Sequence, residues 1–128
     1  MKIFCLILFV TFIISCQKAG LGGKASVRIF PQHHANAIKN YAAYPDTVLV
    51  KFKANELPGT RASDFDAVFS GNSGDEFVTV SGLKPGLYYF YASGMDSSGP
   101  YRVKGGMPFK ISYKERKKNF DLILPVVE

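Results

Sequence analysis

The chain has 128 residues, 47% of them hydrophobic, with a formal charge of +6, no tryptophan and two cysteines. That length suits one domain of ordinary size. Two cysteines, one of them inside an apolar leader, leave no disulfide framework to staple a small scaffold.

The chain opens with Lys2 ahead of an apolar run from Ile3 to Ile14. A membrane-spanning helix needs roughly 20 apolar residues, and this run is too short. A basic start before a short apolar core is the pattern of a secretory signal peptide. Ile13-Ile14-Ser15-Cys16 resembles the bacterial lipobox, in which cleavage precedes the cysteine and the cysteine is acylated. The resemblance implies a signal peptide over 1–15 and lipidation of Cys16. Cys5 would leave with the leader, so Cys16 would have no disulfide partner. A lone thiol is unusual in an oxidising compartment, and lipidation accounts for it. Several acyl chains hold a protein stably where one holds it marginally. The glycines at 20, 22 and 23 then suggest a flexible tether over 16–23, with a reach of roughly 15 Å. Gln17 in place of aspartate, with no acidic cluster after Cys16, resembles the sorting pattern of outer-membrane lipoproteins without a surface-export signal, and that resemblance implies a periplasm-facing position.

From 24 to 128 the sequence reads as strands, short Val, Ile, Phe and Tyr runs punctuated by Gly, Pro, Asn and Asp. Ala25 to Ile29 alternates. FPQHHANAI follows, with His33 and His34 in an expected loop, and Ala35 to Ala43 could form one helical turn. Thr47 to Lys53 places Val48, Val50 and Phe52 on one face. Asp64 and Asp66 precede a short strand at Ala67 to Phe69, and Glu76 to Val80 is another. Pro85-Gly86 suits a type II turn feeding Leu87 to Ala92. There Leu87, Tyr89 and Tyr91 share one face, and Tyr88, Phe90 and Ala92 the other. Tyr101 to Lys104, Phe109 to Tyr113 and Asn119 to Val126 complete the set, the last with Phe120, Leu122 and Leu124 on one face. About seven strands at this spacing predict an all-β fold, an antiparallel sandwich of two sheets. The absence of tryptophan and disulfide argues against its antibody version.

The stretch Leu83-Lys84-Pro85-Gly86-Leu87-Tyr88-Tyr89 resembles a signature of transthyretin-like (prealbumin-like) sandwiches, including the carboxypeptidase regulatory-like modules of Bacteroidota envelope proteins. The histidine pair, Pro58-Gly59 and Val103-Lys104-Gly105-Gly106 also resemble features of small lipoproteins from that group. The resemblance implies a non-enzymatic binding, spacer or assembly domain.

Candidate sites are sparse. Neutral imidazole is a common zinc or copper ligand, but neighbours on a strand face opposite ways, so His33 and His34 could share an ion only in a loop. Asp64 and Asp66 are the carboxylates expected beside them. Asp75, Glu76 and Asp96 are further candidates, with no fixed spacing to the histidines. The reading preferred on sequence is a surface loop, in which one imidazole could bond to a backbone carbonyl; the metal centre is the alternative. Tyr88, Tyr89, Tyr91 and Tyr101 could form an aromatic platform for sugar rings. No Gly-x-Ser-x-Gly elbow occurs, and an enzyme is not expected. The basic run Lys114 to Lys118 could mean nucleic acid. Export makes that partner unexpected and favours anionic surfaces. The expectation is a lipid-anchored envelope module without catalytic activity or cofactor, bound to the membrane through its anchor and to a protein or glycan. The alternatives are a metal-binding envelope protein and a surface or pilus assembly subunit.

Overall fold

A computed structural model describes residues 19–97 and 101–128. The expected signal peptide and Cys16 lie outside the described residues. Period-2 alternation dominates what forms: β1 (Leu21–His33), β2 (Asn36–Ala37), β3 (Thr47–Phe52), β4 (Ala67–Ser70), β5 (Val78–Leu83), β6 (Gly86–Asp96), β7 (Tyr101–Ile111) and β8 (Asn119–Pro125). Two short 3-10 turns, Ala62–Asp64 and Tyr113–Glu115, accompany them.

The strands make two four-stranded sheets. In one, β1 pairs antiparallel with β2 and β5 and parallel with β8. The other runs β4-β3-β6-β7, antiparallel throughout. Inward residues interleave between them: Ala25, Val27 and Ile29 from β1, Val78, Val80 and Leu83 from β5, and Leu124 from β8. They meet Val48 and Val50 from β3, Tyr88, Phe90 and Ala92 from β6, and Val103 and Ile111 from β7. Burying each large aliphatic contributes about 1.5–3 kcal/mol, so both sheets are held by their inner faces. The expected all-β sandwich therefore forms, but its first sheet is mixed, because β8 runs parallel to β1. Its strand partition is not that of immunoglobulin constant domains, where the first, second, fourth and fifth strands share a sheet.

Three local expectations change. No helical turn spans Ala35 to Ala43: β1 runs on to His33 and reverses through His34 and Ala35, at φ +52° and +62°, into β2. The strands expected at Tyr101 and Phe109 are one, β7. It carries Pro108 because it pairs with β6 on one side, and proline is tolerated on such an edge strand. The folded part begins before residue 24, because Ala19 is buried and β1 starts at Leu21.

Tyr88 fastens that beginning. Its hydroxyl accepts the Gly20 N–H at 3.0 Å and stands within reach of the Gly20 and Lys84 carbonyls. One proton serves a single carbonyl at a time. Lys84 N–H donates to Gly20 O at 2.9 Å. Gly86, at φ +148°, is needed here, since a Cβ would stand 2.7 Å from Ala19. Tyr88→Phe keeps the ring and orphans these groups. It is expected to cost about 1–3 kcal/mol in urea unfolding and to speed hydrogen exchange at Gly20. Unchanged stability and exchange would show that the hydroxyl holds nothing.

Candidate metal centre

Two inward rows run out at the same end of the sandwich. On β1 the buried row is Ala25, Val27, Ile29, Pro31 and His33. On β6 the inward row is Tyr88, Phe90, Ala92, Gly94 and Asp96. His33 is therefore not a surface-loop residue: it is 3% exposed. Its Nδ1 stands 2.7 Å from Asp96 Oδ2 across the two sheets. An ionised carboxylate only accepts, so against such a partner Nδ1–H donates, and in the neutral form of the ring the lone pair is then on Nε2.

Nε2 lies 3.7 Å from Glu128 Oε1, too long for a hydrogen bond. The segment after β8 brings Glu128 there. Val126 N–H donates to Gln32 O of the first sheet at 2.9 Å, and Val127 exchanges hydrogen bonds of 2.8 and 2.9 Å with Lys104 of the second. Gly105 permits this crossing, because a Cβ would sit 2.2 Å from Pro125 O.

His34 occupies the reversal after β1. Its left-handed backbone, costly for any residue but glycine, folds its ring back over His33, with centroids 4.0 Å apart. The strand objection to two adjacent histidines sharing an ion disappears in such a turn. One ligand atom each from His33, His34 and Glu128 lies within 4.8 Å of the others. Around zinc, with bonds of about 2.0–2.2 Å, tetrahedral ligand atoms stand roughly 3.4 Å apart. The His33–Glu128 spacing is already close to that. His34 and Glu128 are exposed, while Asp96 holds His33. Two imidazoles and one carboxylate suit zinc or copper, and three protein ligands leave a fourth position open. Asp96 is the carboxylate that fixes ring orientation and raises basicity in such sites. Beside Glu128 opens a groove of about 530 Å³, lined also by Tyr44, Thr47, Ser93, Arg102 and Lys104.

The same end buries a second carboxyl group. Asp46 is fully buried, and neither of its oxygens has a hydrogen-bond partner among the described residues. Gly94 makes the space for it, since a Cβ there would stand 2.3 Å from Asp46 Oδ1. Burial pushes the carboxyl pKa up to about 7. Buried Asn40 secures the loop: its amide donates to the Asp75 and Phe77 carbonyls and accepts the Asp46 N–H at 2.6 Å.

Other expected site residues lie elsewhere. Asp64 Oδ2 accepts the Arg61 N–H in a capping box. Asp66 accepts the Phe52 N–H at 2.8 Å and pairs with Lys51 at 3.3 Å. Both serve the β3–β4 connection, at the end of the sheets opposite His33. The tyrosines make no common platform. Alternation buries Tyr88 in the core, Tyr91 is buried against Phe65 with centroids 5.8 Å apart, and Tyr89 covers Gly106. Tyr101, 43% exposed, stands apart, in an edge-type contact with His33 at a centroid distance of 6.0 Å. Glu128 was not foreseen among the carboxylates, and no local pattern marks it. Compared with known protein families, curated proteins and solved structures, the chain matched none.

Proposed function

We propose that this chain is a non-catalytic module of the bacterial cell envelope that holds one zinc- or copper-class cation through His33, His34 and Glu128. The reading places it on the outer membrane, facing the periplasm, anchored by acylated Cys16, with a transthyretin-like sandwich as its body. The Pro85-Gly86 turn feeding a buried Tyr88 supports the sandwich assignment. The lipobox-like leader supports the anchor. The observation that carries the metal reading is the buried His33, tied by Nδ1 to Asp96, with its Nε2 3.7 Å from Glu128 and a His34 nitrogen within the same 4.8 Å cluster. The metal ranks above a purely structural role for the pair because a left-handed turn brings the His34 ring over His33, with centroids 4.0 Å apart. The fourth position and the adjoining groove would receive the protein or glycan partner.

Calorimetric titration of the detergent-solubilised chain with zinc and with copper tests this. One ion per chain is expected, and His34→Ala or Glu128→Gln should weaken binding about tenfold or more, as loss of a ligand shell member does. Binding that is substoichiometric, or indifferent to both substitutions, rejects the proposal.

A further inference from the structure

Strand direction gathers charge at the end of the sandwich opposite the histidines. β1 enters there, β7 leaves there, and β8 starts there, with Ser26 N–H donating to Lys118 O. Exposed Lys84, Lys110, Lys114, Arg116 and Lys117 surround that entry point. Of the acids at this end, Glu115 is engaged by Ser112 at 2.8 Å and lies 3.9 Å from Lys118, while Glu56, Asp64 and Asp66 sit on the β3–β4 connection in the company of Lys51, Lys53 and Arg61. Half of the ten acidic residues, Asp46, Asp75, Glu76, Asp96 and Glu128, lie at the histidine end instead. Apolar side chains stand among the basic ones: Leu21 is 46%, Leu87 41% and Tyr113 57% exposed. Arg116 lies over the Tyr113 ring at 4.3 Å, leaving an amphipathic tip.

We infer that this basic end docks directly on an anionic lipid surface, with Tyr113 and the leucines seated among the headgroups. Basic side chains are drawn to anionic headgroups within a Debye length of the surface. Tyrosine settles at the same depth. The chemistry matches the geometry, because the chain enters the fold at this end, through Ala19. The metal centre then points away from the bilayer, about 30 Å or more along β1 and β6 at ~3.3 Å per residue. The inference rests neither on the metal nor on acylation of Cys16.

The chain has no tryptophan, so Tyr113→Trp supplies a unique fluorophore. The full chain is reconstituted into vesicles of phosphatidylcholine alone or with about 30% phosphatidylglycerol, to set the surface potential, using brominated lipids as quenchers. Expected is at least about twofold stronger quenching with the anionic lipid, lost in about 0.5 M salt. Adding K114E, R116E and K117E should abolish it, with the circular dichroism spectrum unchanged. Tyr41→Trp, at the histidine end, should stay unquenched. Equal quenching in both vesicles, equal quenching at both ends, or persistence after charge reversal overturns the inference. So does an acidic polysaccharide that displaces the protein from the anionic vesicles at low concentration.

Discussion

His33→Ala is expected to abolish stoichiometric zinc binding, whereas Asp96→Asn should weaken it about 10–100-fold, the usual effect of losing the group that orients a ligand. The difference follows from what each does. His33 provides the one donor atom already fixed in place, buried and within 3.7 Å of Glu128. Asp96 chooses the tautomer. An asparagine keeps an acceptor for Nδ1–H in one amide orientation and offers a donor in the other, which would move the ring proton to Nε2 and block the metal. Alanine at 33 also opens a hole, so His33→Gln is the companion variant: it retains a polar partner for Asp96 without imidazole. Zinc loss in both, with folding intact in the glutamine variant, assigns the ligand. Retention of zinc by His33→Gln would remove His33 from the site.

The second large effect lies at Asp46. Its folded pKa is raised, to about 7, against about 3.9 in an unfolded chain. Below pH 4 both states are protonated and burial of the neutral acid is tolerated. Between pH 4 and 7 the unfolded chain releases its proton while the folded chain keeps it, so stability falls as pH rises. Above 7 both are ionised and the penalty is constant. Three units correspond to a ceiling of about 4 kcal/mol, and structural relaxation around a buried charge brings the expected loss nearer 2. Asp46→Asn removes the ionisation. Urea unfolding from pH 4 to 8 should show this pH-dependent loss in the natural chain and its absence in the variant. The variant should be the more stable one at pH 8. Parallel curves for the two chains would mean that Asp46 is not buried as a carboxylic acid.

How much of this was legible in the chain depends on distance. Local alternation was enough for Val48, Val50 and Phe52, and for Phe120, Leu122 and Leu124, each set sharing a face as expected. It was also enough, had the period been followed two steps past Ile29, to carry Pro31 and His33 into the interior. Which face of β6 would be buried was open, because nothing within Leu87 to Ala92 says where the opposing sheet lies. His34 was hidden by its turn: left-handed His-Ala is a poor sequence for a reversal that usually takes Asn-Gly, so the hairpin announced itself weakly. Glu128 was beyond reach, since its place depends on Val127 meeting Lys104 and on the bare Gly105 across which Pro125 passes. Asp64 and Asp66 misled because nearby acids in a sequence are as often caps and backbone acceptors as ligands.

The parallel seam between β1 and β8 also governs when the protein can exist. Arg28 meets Asp121 across 93 positions, so the opening strand must wait for the closing one. A polypeptide emerging amino end first, from a ribosome or through a membrane channel, keeps one flank of β1 bare until residue 125 is clear. Such non-local pairing finishes in milliseconds to seconds once both strands are free to meet. Until then the chain is threadable, and the same bare flank is what an escorting chaperone would cover.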